Sequence, residues 1–261
     1  MACASVQSIA LLLMSKSRLY PNGLANSSGQ LGRHYIPHMT GGIQCFLTKL
    51  IGKPVTNDEG FLDHAYMPSF MHGRKKNYAR SFGAQFNYQN RRSVGWARQV
   101  RGFGTAYKQA VKERYPAYLQ FNPYGEKIPD SRTYIDLDDS EKDPFGLPSA
   151  RRHVHWSEND LAMFEDMQRW SAAILESAGA EILSISKTPQ TNHELGGCRM
   201  GDDPRTSIVD AFCRAHGVPN LYVVDGSVFP SGSEKNPTLT IMALASRTAD
   251  HIAERLKKGE L

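Results

Sequence analysis

The stretch TNHELGGCRMG, Thr191 to Gly201, places a histidine, His193, just ahead of the glycine pair Gly196 and Gly197, with Cys198 and Arg199 following. Glycine has no Cβ, so the chain can turn tightly there and bring its backbone against another group. Such a segment suits a catalytic loop, and it equally suits an ordinary surface loop. The rest of the chain has to separate the two. Downstream, NLYVVDGSVFP (Asn220 to Pro230) reads as a buried-type strand ending at Asp225 and Gly226. NPTLTIMALASRTADHIAERLKK (Asn236 to Lys258) then reads as a helix with Pro237 at its first position, where the N–H it lacks has no helical partner to lose.

Upstream, ACASVQSIALLLM predicts a small-residue turn running into an apolar helix that ends near Ser15, and YPNGLANSSGQLGRH is dense enough in turn formers to be a surface loop. From about Met39 to Lys187, short alternating segments such as DHAYMPSFM and SFGAQFNYQN predict strands of an antiparallel sheet. RTYIDLD, the turn DPFGLP and RRHVHW predict a hairpin. Ser157 and Asp160 fit a capping box opening a helix, along which Leu161, Phe164, Met167, Ser171, Ile174, Leu175 and Ala178 recur at helical spacing, and Gly179 stops it. AEILSIS follows as a strand. The fold class is therefore α/β (α+β).

Composition excludes several classes. Of 261 residues, 40% are hydrophobic and 22% charged, as in a globular protein. The net charge of +5 is spread along the chain, which favours mild attraction for anions and no nucleic-acid partner. The basic stretches GRKKNYAR and NRRSVGWARQVR read as solvated faces. Cys3, Cys45, Cys198 and Cys213 show no CxxC spacing, arguing against a disulfide framework and a structural zinc site, and no metal site is expected. His34 and His38 in HYIPH are separated by Pro37, which spoils a ligand-bearing helix, so both read as surface histidines. The apolar run Ile9 to Met14 is too short to span a bilayer and no basic residue precedes it, so it reads as neither leader nor membrane anchor, and the compartment stays open.

Three motifs, NHELGGCRMG, NLYVVDGSVFP and NPTLTIMALASRTADHI, in this order and spacing, resemble the C-terminal part of the glucose–methanol–choline (GMC) family of FAD-dependent oxidoreductases. HELGGCRMG and NPTLT look closest to its sugar, polyol and sugar-acid dehydrogenase flavoprotein subunits. The opening segment and DSRTYIDLDDSEKDPFGLPSARRHVHWSENDLAMF look like the family's helix-and-loop segment and substrate-domain hairpin. The resemblance implies an incomplete FAD-binding lobe from residues 1–37 and 190–261, and a substrate-binding domain over 38–189 formed by an antiparallel sheet flanked by helices.

The resemblance also implies an activity: FAD-dependent oxidation of a CH–OH group by a dehydrogenase or oxidase. It makes His193 the base and Asn236 its catalytic partner. Imidazole takes a proton near neutral pH, and an amide donates to an oxygen acquiring negative charge. Asn236, Pro237 and Thr238 would direct the start of a helix at the flavin, while Asp225 and Gly226 would meet the ribityl and pyrophosphate portion. Two plainer readings stand beside these, Asp225 as a cap for Ser227 and Asn236 as a simple N-cap. Cys198 and Arg199 read as packing and support.

The family's GxGxxG fingerprint is absent: RGFGTAY offers Gly102 and Gly104 but has Tyr107 where the third small residue belongs. The chain is therefore expected to be a C-terminal fragment or split product, whose partners are an alcohol or sugar substrate, the missing N-terminal FAD-binding half and a cytochrome or quinone-linked subunit. Related dehydrogenases are often periplasmic. The competing expectation is an inactive remnant or a carbohydrate-binding module without catalysis. Missing strands are expected to leave Val6 to Met14 and Leu221 to Val224 uncovered.

Overall fold

The computed structural model describes residues 1–54, 64–71, 73–87 and 94–261. They form two compact units, one from Met1–His38, Lys127–Trp156 and Thr191–Leu261, the other from Met39–Glu126 and Ser157–Gln190. The segment Lys127–Trp156 belongs to the unit of the chain termini.

In that first unit, helix α1 (Ser5–Met14) is mostly apolar and is correspondingly enclosed, with Ile9 and Leu12 buried. They share a core with Leu31, Tyr35, Ile135, Cys198, Val209, Val223 and Val228. The expected hairpin is present as strands β6 (Tyr134–Lys142) and β7 (Pro148–His153), antiparallel with Tyr134 opposite His153. Its attachment to this unit has a physical cause: Ile135 enters the core, its N–H donates to the Gly32 carbonyl at 2.9 Å, and Tyr35 N–H donates to the Thr133 carbonyl at 3.1 Å. The turn is fixed by the Asp143 carboxylate, which accepts from the N–H groups of Phe145 and Leu147 at 2.9 Å each.

Two expectations are corrected here. Asn220 to Pro230 is extended and buried at Val223 but is no ladder strand: Tyr222 forms an isolated bridge with Arg214, and the N–H groups of Val223 and Val224 donate to the carbonyls of Cys213 and Met1. A short 3₁₀ turn, Gly226–Val228, follows. Nor is this segment, or most of α1, left uncovered, because Val6, Ile9, Leu12, Val223 and Val228 bury one another in a single cluster. Exposed apolar side chains lie elsewhere, at Leu19, Phe103 and Phe145 and on the last helix, α4 (Thr238–Lys257), where Leu239 is 79% and Met242 62% exposed.

The second unit is an antiparallel sheet with a helix on it. Strand β4 (Phe82–Asn87) lies between β3 (His64–Met67) and β5 (Tyr118–Gly125), β5 also pairs with Met39 and Thr40 of β1 (His38–Thr40) and with β2 (Ile43–Leu47), and β2 pairs with β8 (Ala180–Ile185). The expected strand residues Asp63 and 88–90 lie outside the described residues, as do 90–93 of the second basic stretch. The remainder of that stretch is not a solvated face, since Trp96 is buried and stacks on Tyr118. Gly104 opens helix α2 (Gly104–Arg114). Helix α3 (Glu158–Ser177) begins with the expected capping box: Ser157 Oγ accepts from Asp160 N–H at 3.2 Å while Ser157 N–H donates to the Asp160 carboxylate at 2.9 Å. Its Leu175 packs with Ile43, Leu119 and Phe121 of the sheet. Strand β9 (Gln190–Asn192) is the passage back to the first unit.

Candidate active site

His193 is held with φ +44°, in the left-handed region that is uncommon for residues bearing a side chain and best tolerated by His, Asn and Asp. The surrounding chain fixes it there. Its N–H donates to the Asn192 side-chain oxygen at 2.8 Å, the next carbonyl, of Glu194, accepts from Ser5 Oγ at 2.6 Å, and the Glu194 carboxylate accepts from Arg152 at 2.5 Å. Beyond it the loop is laced by backbone to the Gly226–Val228 turn, with the N–H groups of Gly196, Cys198 and Met200 donating to the carbonyls of Gly226, Ser227 and Val228. Gly196 is required here: φ is +74°, and a Cβ would stand 2.2 Å from the His34 carbonyl oxygen.

The side chain of His193 meets His38. Their Nδ1 atoms are 3.0 Å apart and the rings are nearly perpendicular, at 84°. His38 is only 2% exposed, so the expectation of a surface histidine is corrected. Pro37 does prevent a ligand-bearing helix, but it leads His38 into β1 and the interior. Burial, and secondarily the neighbouring His193, lower the His38 pKa to about 4, and burial lowers that of His193. Both rings are neutral at pH 7. His34 is partly buried, its φ is +55°, and burial followed by Arg199 lowers its pKa. Sequence reasoning missed His38. The available signal was its place at the first residue of a strand that follows a turn-rich loop.

Asp225 is buried, and its carboxylate accepts from Ser227 N–H at 2.8 Å, from Cys3 N–H at 3.2 Å and from the Ser8 hydroxyl. The capping role that the sequence left open is thus present. At Gly226 a Cβ would meet Ser5 Oγ at 2.7 Å and the Glu194 carbonyl oxygen at 2.8 Å, which keeps this turn against α1 and the His193 loop. At Gly232 a Cβ would stand 3.0 Å from Leu195 and 3.8 Å from His38 Nε2, so the segment leading to Asn236 passes beside the histidine pair. Asn236, Thr238 and Leu239 are exposed at the start of α4, where Pro237 already has helical angles and accepts from Ile241 N–H at 3.0 Å. Cys198 is fully buried and its thiol is pushed up to about 12, which fits packing and not reactivity. Among the described residues no group of His, Cys, Asp and Glu is arranged to hold a metal ion, and no helix is long and apolar enough to cross a membrane.

Residues 129–245 match the family model described as GMC oxidoreductase. The chain is 32% identical over 258 residues to 2-methyl-1,2-propanediol dehydrogenase of Mycolicibacterium austroafricanum, covering 94% of this chain and 46% of that protein. It is 32% identical over 167 residues to the gluconate 2-dehydrogenase flavoprotein of Pantoea cypripedii, covering 60% and 27%. With the fructose dehydrogenase large subunit of Gluconobacter japonicus it is 27% identical over 263 residues, covering 99% and 47%. Among solved structures, pyridoxine 4-oxidase from Mesorbium loti shares the fold at a TM-score of 0.63 and 20% identity, over 97% of this chain and 50% of that one. The chain thus spans about half the length, or less, of the curated relatives it matches. It belongs to the GMC oxidoreductases and carries the C-terminal portion of their fold.

Proposed function

We propose that this chain supplies the base and the flavin-facing helix start for FAD-dependent oxidation of a CH–OH group of a sugar, polyol or sugar acid. One observation carries the reading: a neutral imidazole, His193, is held in a strained loop against a second neutral imidazole. A base must be unprotonated to accept the hydroxyl proton, and burial keeps His193 so at neutral pH. Asn236 would donate its amide to the substrate oxygen as that oxygen becomes negative.

The residues present fit FAD. The exposed first turn of α4, which follows Pro237, offers the backbone N–H groups of Thr238 and Leu239 and the positive end of a helix to an anionic ring edge. The Asp225–Gly226 turn would meet the ribityl and pyrophosphate portion, its carboxylate engaged internally and the turn packed against α1 and the His193 loop. Bound FAD would supply the hydride acceptor. On this reading the termini-containing unit serves the cofactor, the hairpin Lys127–Trp156 included, and the unit of Met39–Glu126 and Ser157–Gln190 serves the substrate. The partner that completes the site is an N-terminal half bearing the GxGxxG loop. A cytochrome or quinone-linked subunit would receive the electrons, a role consistent with relatives named as a flavoprotein and as a large subunit.

The test is co-expression with the N-terminal half of a related dehydrogenase. The assembled protein is expected to carry flavin and to be reduced by a sugar, polyol or sugar acid. His193→Ala should lower the rate of flavin reduction by about 10² to 10⁴. An unchanged rate would overturn the base assignment. A colourless assembly that still binds sugar would favour a carbohydrate-binding module instead.

A further inference from the structure

We propose that the recess between residues 73–80 and helix α3 binds a small molecule carrying a phosphate or diphosphate group. The recess lies wholly within the second unit, and the proposal does not depend on the assignment of His193 as the base.

The sequence GRKKNYAR holds four cations in eight residues and no acid. The fold pins this basic segment onto α3. Tyr78 is buried and its hydroxyl donates to the Asp166 carboxylate at 2.7 Å, while Ala79 N–H donates to the Asn159 side-chain oxygen at 2.7 Å. Between segment and helix a recess of about 460 Å³ is left, within the range of about 300 to 1,000 Å³ usual for small-molecule sites. Met71, itself buried, and the indole of Trp170 form its apolar part. Arg74, Lys75, Lys76 and Arg169 line it with charge.

These four cations meet one carboxylate, Asp166, so the lining carries a net charge of +3. Both oxygens of that carboxylate are already engaged, one by Tyr78 and the other by Arg169. Among the described residues Arg74 and Lys75 have no ion-pair partner. Lys76 donates to the Arg80 carbonyl and lies 4.9 Å from the Tyr78 ring centre, contacts that leave its charge unbalanced. One indole gathers both guanidinium groups: the Arg74 and Arg169 guanidinium carbons lie 5.5 Å and 5.4 Å from the Trp170 ring centre, and Arg74 is also 5.9 Å from that of Phe70. A guanidinium held on aromatic faces keeps its N–H edge open for an oxyanion. Low-dielectric walls concentrate the field of such a cluster. A lone carboxylate would leave most of it unbalanced. A phosphate monoester brings roughly −1.5 to −2 charge at pH 7 and three acceptor oxygens, which is the match the lining calls for.

The test titrates inorganic pyrophosphate into the 261-residue chain at fixed ionic strength, followed by calorimetry and by the indole N–H resonances of a ¹⁵N-labelled sample. Saturable one-to-one binding is expected. The Trp170 resonance, identified by its loss in Trp170→Phe, should move, while that of Trp156 in the first unit stays in place. Arg74→Gln combined with Lys75→Gln should weaken binding about tenfold or more, the effect of losing hydrogen bonds from charged groups. Lys108→Gln, on α2, should change nothing. All three substituted side chains are exposed, so the fold is retained, and the melting temperature of each variant checks this. Gluconate, a polyhydroxylated monoanion, and polyglutamate should both bind more weakly than pyrophosphate. Absence of saturable binding, undiminished binding after the double substitution, or binding that leaves the Trp170 resonance unmoved would overturn the proposal. Equal affinity for gluconate or polyglutamate would overturn it too, by showing that the recess does not select phosphate.

Discussion

Ser8, on the opening helix, donates its hydroxyl to the carboxylate of Asp225, 217 positions along the chain. The same carboxylate accepts from Cys3 N–H and Ser227 N–H, so a single buried side chain ties the start of the sequence to the Gly226–Val228 turn. Removing it orphans the Ser8 hydroxyl and the Ser227 N–H, both on fully buried residues. Asp225→Ala is therefore expected to cost about 3 kcal/mol or more, and Ser8→Ala roughly 1–2 kcal/mol. Urea denaturation checks both. A loss for Asp225→Ala no larger than for Ser8→Ala would show that the carboxylate is not the clasp.

Gly196 and Gly146 separate backbone strain from steric contact. Both have positive φ, +74° and +81°, but a Cβ at Gly196 would lie 2.2 Å from the His34 carbonyl oxygen, whereas nothing lies within 4 Å at Gly146. Gly146→Ala should cost about 1 kcal/mol, the strain of a left-handed alanine. Gly196→Ala should cost several kcal/mol or prevent folding, and where it folds it should displace His193. Similar melting temperatures for the two variants would refute the contact.

The pH dependence of stability has a definite sign. His38 titrates near 4 in the folded chain against an ordinary 6.5, so between these values the unfolded chain binds the extra proton. Stability is complete above 6.5, falls as pH drops towards about 4, and then stops responding to this group. His193 and His34, also lowered, act in the same sense. Urea midpoints at stepped pH should decline through this window, and His38→Asn should flatten the decline. A midpoint that rises on acidification would contradict a buried neutral His38.

The features legible in the sequence are those set by neighbours in the chain. Ser157 and Asp160 announce their helix because both halves of a capping box lie within one turn, and the β6–β7 hairpin is announced by its turn residues. His193 was legible through its motif. His38 was not, because its burial depends on the Gly232–Ser233 backbone, remote in sequence, and a histidine beside a proline carries no local mark of that. The apolar run in Asn220 to Pro230 reports burial correctly but not pairing, since the neighbours of Val223 and Val224 are a turn and the first residue of the chain.

The face of α4 that is apolar and exposed bears on assembly. One side of the helix is committed: Thr248 Oγ1 donates to the Phe212 carbonyl at 3.2 Å, His251 stacks on Phe212 at 4.1 Å, and Arg255 donates to Tyr222 Oη at 3.3 Å. Leu239 and Met242, near the helix start that would face the flavin, are left outside it. The 261 residues contain no GxGxxG loop to receive the cofactor's pyrophosphate, so expressed alone they are expected to retain little FAD after free cofactor is removed, and to self-associate through this face. Met242→Glu should abolish association with an N-terminal half while leaving the stability of the lone chain within about 0.5 kcal/mol of the original, because an exposed side chain contributes little to its own fold. Flavin absorbance and particle size measured together decide the matter. A monomeric chain holding stoichiometric FAD would mean that this half of the fold binds the cofactor without the other, and that the exposed face of α4 has no part in completing the site.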